Sequence, residues 1–257
     1  MKQMNTLRFL ARCCAVMCLG FAVGTAWATN TECSTMGKMI VSTNLRFSLS
    51  HSQVPGQLAI SQHRLKVAGS HYTLESVSEA KGLMALMFSG QLIQKSEGLI
   101  DAKVGFVPLY YAEKRGKRPL TETLVSTESQ EVIFKKNESK APLERGLQDR
   151  MSMIYQISAL LRCSNTLKKG DTLALKVMGT GRVAQETFSV LSGEALTINM
   201  GKGEQTMPVL EFESKPEHAD DEIVRVWFAK SLNWLPVKIQ LSDKEGKSMT
   251  QTLIGVD

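Results

Sequence analysis

Histidine and cysteine, the side chains that most often bind metals or act as nucleophiles, are few in this chain of 257 residues. The four histidines are His51, His63, His71 and His218. None lies at a known ligand spacing from another His, a Cys or a Glu, whereas zinc sites usually contain close ligand pairs. There is no Gly-x-Ser-x-Gly nucleophile elbow. The sequence therefore predicts no metal, no cofactor, no catalytic residue and no enzyme, with the histidines at the surface or in hairpins.

Paired carboxylates are the one catalytic arrangement that the sequence leaves open, because two acids need only meet in space. The carboxylates in or near predicted strands are Glu75, Asp101, Glu131, Glu194 and Glu211. No pair among them stands out, and solvated strand faces explain them equally well. A carbohydrate-active hydrolase or lyase is therefore kept as an alternative function.

Residues 1–28 have the composition of a cleavable secretory signal peptide. The basic residues that open the segment, without any acidic one, are Lys2, Arg8 and Arg12. An apolar run over 13–23 and the small-x-small site Ala26-Trp27-Ala28 follow. The run is shorter than the roughly 20 apolar residues that span a bilayer. We predict cleavage after Ala28, a periplasmic mature protein of residues 29–257, and no membrane-spanning segment after cleavage.

Two cysteines, Cys33 and Cys163, remain beyond the leader. Because the predicted compartment is oxidising, this pair is a candidate disulfide. The alternative is two unpaired thiols. The predicted core of the mature chain is large enough that folding does not require the bond.

The mature chain is only weakly basic, because half of the formal net charge of +6 belongs to the leader. So small an excess of positive charge argues against nucleic-acid binding. The densest positive cluster is Lys114, Arg115, Lys117 and Arg118. It follows Tyr110 and Tyr111, and such a basic turn could contact anionic lipid head groups or an acidic envelope polymer. The other interpretation is a solvated hairpin tip.

Period-2 alternation of apolar and polar residues dominates the mature chain and predicts strands. It is clear over 41–49 and again over 224–228 and 235–241. Further strands are predicted at 83–93, 104–112, 122–127, 130–136, 173–177, 183–190 and 196–200. One helix is predicted over about 147–162, with Asp149 in its first turn. These elements indicate one all-β domain, an antiparallel barrel-like, half-barrel or sandwich meander.

Several motifs occur in an order that resembles a known family. They are Gly105 to Tyr111, Gly146-Leu147-Gln148-Asp149-Arg150-Met151-Ser152, Gly181-Arg182, Val226-Trp227-Phe228-Ala229 and Leu235-Pro236-Val237-Lys238-Ile239. The chain resembles the bacterial exported family catalogued as domain of unknown function 3108 over about residues 40–256. The resemblance implies an envelope protein with an antiparallel barrel-like fold, and it provides no catalytic residues.

The polar members of these motifs are Asp149, Arg150 and Arg182, with Trp227 as the motif aromatic. They form either a small polar site between helix and sheet, or a helix start clamped to a hairpin by charge-assisted hydrogen bonds. The second interpretation is preferred because it needs no ligand.

The preferred function is a non-enzymatic periplasmic protein that holds a hydrophobic or lipid-like ligand inside its sheet, with the helix packed across one opening. One alternative is an envelope scaffold that binds a protein or glycan through exposed Tyr110, Tyr111 and Trp234. The other is the hydrolase or lyase. The sequence leaves the oligomeric state open.

Overall fold

The computed structural model describes residues 35–82, 90–164, 167–191, 193–201, 203–218 and 221–257. The predicted signal peptide and Cys33 lie outside these residues, as does most of the strand predicted over 83–93. Among the described residues, no helix is long and apolar enough to cross a membrane.

The described chain forms sixteen strands, two helices and one 3₁₀ turn. The strands are β1 (Thr43–His51), β2 (Val54–Ala68), β3 (His71–Ala80), β4 (Leu92–Asp101), β5 (Gly105–Arg115), β6 (Thr121–Ser126), β7 (Glu131–Phe134), β8 (Ser139–Pro142), β9 (Gln148–Asp149), β10 (Thr172–Met178), β11 (Val183–Val190), β12 (Ala195–Asn199), β13 (Glu204–Lys215), β14 (Ile223–Ala229), β15 (Leu235–Ser242) and β16 (Ser248–Val256). The helices are α1 (Met36–Met39) and α2 (Ser152–Cys163), and the 3₁₀ turn is Lys230–Leu232.

One curved sheet contains nearly all of these strands, in the order β8-β7-β6-β5-β4-β3-β2-β1-β16-β15-β14-β13-β11-β10-β9. Neighbouring strands are antiparallel except β9 and β10, which are parallel. Strand β12 pairs only with the first half of β13. The sheet is not closed, because β8 and β9 end it without pairing with each other. The prediction of an antiparallel, barrel-like meander is confirmed.

Irregular register bends this sheet at four described pairings. Shifts occur in β1 against both neighbours, in β14 against β15, and between Glu97 and Gly98 in β4. A bulge increases local twist and lets a wide sheet curl. At Gly98 the backbone of β5 comes so close that an added Cβ would lie 2.1 Å from the carbonyl oxygen of Val107.

The two ends of the sheet meet through side chains that bond to backbone. Thr123 Oγ1 donates to the Gly179 carbonyl oxygen over 2.8 Å, and Asn137 Nδ2 donates to that of Gly181 over 3.1 Å. These bonds attach the β10–β11 turn to β6 and to the β7–β8 turn. We call this junction the seam.

Helix α2 lies inside the curve of the sheet. Its residues from Ser152 to Ala159 are all buried. Gln156 accepts from the Phe106 backbone N–H at the start of β5, at 3.0 Å. Ser158 donates to the Trp234 carbonyl oxygen before β15, at 2.7 Å. The helix therefore bridges two strands that are six positions apart in the sheet, which confirms that the sheet curls around it.

The helix begins later than the sequence predicts, at Ser152 instead of about residue 147. Gln148 and Asp149 form the short strand β9, and Gln148 Nε2 donates to the Phe106 carbonyl oxygen at 2.9 Å. Asp149 accepts the backbone N–H groups of Met151 and Ser152, so it precedes the helix and caps it. The sequence pattern placed the start of the helix too early because Gln148 and Asp149, although polar, are buried and bond inward in a short strand. Helix α1 and the 3₁₀ turn were not predicted.

We expect Gly98→Ala to destabilise the fold by about 1–3 kcal/mol, because a methyl group cannot fit against β5 without moving its backbone. Gly181→Ala is the matched control, since its Cβ would meet only Asn137 Nδ2 at 3.8 Å. Chemical unfolding of both variants measures the difference. Equal stabilities would contradict the steric argument.

Cys163 ends helix α2, and its Sγ lies 3.9 Å from the hydroxyl of Thr35, two residues after Cys33. The Cys33–Cys163 disulfide stays a prediction. Intact mass without reductant should be two hydrogens below the mass of the reduced mature chain. Alkylation of both cysteines in the unreduced, unfolded protein would contradict the bond.

Candidate functional site

A cavity of about 560 Å³ lies between the first turns of α2 and the inner face of the sheet. Small-molecule sites typically have volumes of about 300–1,000 Å³. The apolar residues that line it are Leu49, Leu92, Met151, Met153, Ile154, Val177, Ala184, Val224, Ile239, Leu241 and Met249, and the uncharged polar ones are His63, Ser78, Gln94, Asn137, Tyr155, Thr180 and Gln251. The apolar ones come from the helix and from strands on opposite sides of the sheet, so the cavity is the unfilled part of the barrel-like interior.

Charged side chains surround the mouth of this cavity. We call the following residues the rim: Arg115, Lys136, Arg150, Arg182, Glu186, Asp221 and Glu222. The four cations and Glu222 are exposed, which places the rim at the solvent end of the cavity. A lining that combines many apolar side chains with a charged mouth suits an amphiphile better than a fully polar or fully apolar ligand.

Asp149 does not belong to the rim. It is completely buried, and its Oδ1 accepts from the N–H groups of Met151 and Ser152, both at 2.8 Å. Ser96 of β4 donates to Oδ2, and Tyr72 of β3 in turn donates to Ser96 at 2.9 Å. Burial raises the pKa of Asp149 to about 6, although these hydrogen bonds act against the shift.

The motif residues therefore separate into a structural and a surface group. Asp149 clamps the helix to the sheet at β4, not to the hairpin that contains Arg182. Arg182 forms an ion pair with Asp221 instead. Arg150 is exposed, with Nε 3.3 Å from the place that a Cβ at Gly179 would occupy. Arg150 and Arg182 both belong to the rim.

The basic cluster after β5 is also divided. Arg115 Nε donates to Glu113 Oε1 at 2.6 Å, which draws Arg115 to the rim. Burial works to raise the pKa of Glu113, but the hydrogen bond and charge of Arg115 outweigh it and hold that pKa below the usual value. Lys114, near the end of β5, and Lys117 and Arg118, in the β5–β6 turn, are also exposed and do not line the cavity.

Two motif aromatics pack within the fold. Tyr111 is completely buried and accepts a hydrogen bond from Gln94 at 3.1 Å, so its predicted exposure is wrong. Trp227 is 9% exposed, and Lys238 Nζ lies 4.5 Å above its ring. Neither lines the cavity. Tyr110 and Trp234 are half-buried.

His63 is an interior residue that sequence reasoning placed at the surface. It is 4% exposed, its Nδ1 lies 3.1 Å from the Tyr155 hydroxyl, and the Phe47 ring centroid is 4.8 Å from its own. Burial lowers its pKa to about 4. Nε2 has no hydrogen-bond partner of good geometry among the described residues, and Gln251, whose Oε1 is also unpartnered, lines the same cavity. Its position two residues before buried Leu65 on β2 is the signal that could have identified it.

No three His, Cys, Asp or Glu side chains of the described residues lie close enough together to hold a metal ion. Glu186 and Asp221 both line the cavity, and their carboxyl groups interact electrostatically. The sequence analysis singled out neither of them. Burial raises the pKa of Glu186, and the nearby charge of Asp221 adds to the shift.

The pKa of Asp149 is raised and that of His63 is lowered, so the two residues should make stability depend on pH in opposite directions. The raised pKa of Asp149 means that the folded protein binds more protons than the unfolded chain between about pH 4 and 6, so this contribution to stability falls as pH rises. The lowered pKa of His63 means that the unfolded chain binds more protons between about pH 4 and 6.5, so this contribution falls as pH drops.

Asp149→Asn should keep the helix cap and remove the first effect. The free energy of unfolding of the variant minus that of the wild type should therefore rise by about 1–3 kcal/mol from pH 4 to pH 7. His63→Gln should give the opposite slope. Denaturant unfolding across this range measures both, and two flat difference curves would contradict the assignment.

A solved structure agrees with this architecture. No curated protein matches the chain. A beta-barrel-like protein of domain of unknown function DUF1849 from Brucella abortus is similar in fold, with a TM-score of 0.54 and 12% identity over 85% of this chain and 98% of that one. A putative outer membrane lipoprotein-sorting protein domain from Vibrio parahaemolyticus matches 84% of this chain and 85% of its own, with 9% identity and a TM-score of 0.22. The family model described as "Protein of unknown function (DUF3108)" matches residues 56–253, so the resemblance seen in the motifs is confirmed and the chain belongs to the DUF3108 family.

Proposed function

We propose that this protein is a non-enzymatic periplasmic protein of the cell envelope that holds a lipid-like ligand inside its curved sheet. The observation that carries the proposal is the cavity of about 560 Å³, which is lined by many apolar side chains and has a charged mouth. Moving one methylene group of an acyl chain from water into such a space contributes about 0.8 kcal/mol. A chain with many methylenes would therefore bind tightly without any catalytic group.

The compartment supports the same function. The leader over residues 1–28 has the features of a secretory signal, which directs the chain to the space where envelope lipids must cross water. A carrier there has to shield an acyl chain from solvent on all sides. Helix α2 and the strands that line the cavity offer that enclosure.

A carbohydrate-active enzyme is the second candidate, because two rim carboxyls differ in environment. Asp221 forms an ion pair with Arg182, whereas Glu186 forms none and burial raises its pKa. Such a division is what a general acid and its partner carboxylate require. The many apolar side chains of the lining favour the carrier, because sugar hydroxyls that lay against them would lack hydrogen-bond partners.

The scaffold hypothesis has less support. It depends on exposed aromatic side chains, and one of the three, Tyr111, is buried in the core. The exposed large hydrophobic side chains of the described residues are Val41, Val54, Leu120, Met249 and Val256. None of them is aromatic, so the described residues offer no fully exposed aromatic side chain to a partner.

Filling the cavity should abolish ligand binding without unfolding the protein. Ala184 lines the cavity on β11, so Ala184→Phe places a ring in the ligand volume. We expect its affinity for the neutral probe N-phenyl-1-naphthylamine to fall by about 10-fold or more, with stability changed by about 1–3 kcal/mol at most.

Ala174→Phe on the neighbouring strand is the control, because Ala174 is exposed and does not line the cavity. Fluorescence titration of the probe, together with thermal unfolding of each variant, makes the measurement. Absence of probe binding to the wild type, and of any co-purifying lipid in native mass spectrometry, would reject the carrier. Unaltered binding by Ala184→Phe would place the probe elsewhere.

A further inference from the structure

The rim contains unpaired charges of both signs. Arg182 is paired with Asp221, and Arg115 with Glu113. The rim residues that form no ion pair within the described chain are Arg150, Lys136, Glu186 and Glu222. Two cations and two anions are therefore available to a ligand, and a head group of one sign would meet repulsion as well as attraction.

Arg150 is the best-positioned of these cations. Both neighbours of Arg150 in the chain are fixed. Asp149 is bonded to Ser96 of β4, and the Met151 N–H donates to Asp149. Its guanidinium lies against the backbone of Gly179 at the seam, where any side chain would crowd it. A planar guanidinium with free N–H donors suits a phosphate group, which accepts two parallel hydrogen bonds.

Glu186 is the matching anion. Its Oε2 is buried and has no hydrogen-bond partner among the described residues, although the Ser214 hydroxyl hydrogen-bonds to the carboxyl group. It lines the cavity on β11, and Arg150 acts on it electrostatically without forming an ion pair. A buried carboxyl oxygen without a donor is costly, so a ligand group that supplies an N–H would relieve it.

We propose that the ligand is a lipid with a phosphoethanolamine-type head group, whose phosphate binds Arg150 and whose primary ammonium donates to Glu186. The acyl chain then occupies the apolar part of the cavity. This inference rests on the proposed function and names the class of ligand. An anionic head group offers Glu186 no cationic donor, and a quaternary ammonium has no N–H to give.

The test compares four lipids that share one myristoyl chain, below their micelle concentrations, by displacement of N-phenyl-1-naphthylamine. They are lysophosphatidylethanolamine, lysophosphatidylcholine, lysophosphatidylglycerol and monomyristoylglycerol. The wild type should bind the ethanolamine lipid about 10-fold more tightly than the choline lipid, because only the former bonds to Glu186. The anionic and neutral lipids should also bind more weakly.

Two variants assign the contacts. Glu186→Gln should remove the preference for ethanolamine over choline, and Arg150→Gln should weaken all three phospholipids by about 10-fold while leaving the monoglyceride unchanged. Lys117→Gln, in the exposed β5–β6 turn outside the rim, is the control and should change none of the affinities.

The inference and the carrier function can fail separately. Equal binding of the four lipids, tightest binding of lysophosphatidylglycerol, or an unchanged ethanolamine preference in Glu186→Gln would overturn the head-group assignment and leave the carrier intact. If neither the dye nor any lipid binds the wild type, the carrier itself fails. Should a variant misfold, the order of the four wild-type affinities still decides the assignment.

Discussion

The buried carboxyl of Asp149 is the interaction on which the interior depends. It satisfies two N–H groups at the start of α2 and receives the hydroxyl of Ser96 from β4, so one side chain fixes both where the helix begins and where it lies against the sheet. Without such a cap, the first turn of a buried helix would leave donors unpaired in an apolar space. Burial disfavours the ionised carboxyl, and the converging donors offset that cost. Arg150 projects from this same anchored segment, so the cap also positions the rim.

The seam provides the second constraint. Where the sheet ends, Thr123 and Asn137 bond to the turn at Gly179 and Gly181 in place of a strand ladder. Backbone N–H and C=O groups that are not paired in a strand ladder need hydrogen bonds from side chains or water, which explains the polar side chains at this junction. The rim lies beside this junction. The seam therefore places the Gly179–Gly181 turn, and with it Arg182, at the mouth of the cavity.

Alternation was sufficient to predict the sheet, because strands such as β14 place Val224, Val226 and Phe228 on one buried face. It failed where inward positions are polar. His63 occupies the inner face of β2, and its burial depends on Tyr155 from a helix 92 residues away, which no local pattern reveals. Arg115 was grouped with a basic turn although Glu113, two residues earlier, draws it to the rim. The cavity could not be read from sequence at all, because its lining comes from strands far apart in the chain.

The number of strands explains why a cavity exists. Inward side chains alone fill a barrel of about eight strands, whereas wider barrels leave space that must be occupied by other elements, ligand or water. Here the sheet is far wider than that, and α2 enters to occupy part of its interior, which is why nearly every side of this helix is buried. A twelve-residue helix is too short to fill the whole space, and the cavity is the remainder beside its first turns. The helix faces it with Met153 and Ile154, so this side of the cavity is apolar. A wide sheet, a short internal helix and a capped helix start are together sufficient to build an interior suited to an acyl chain.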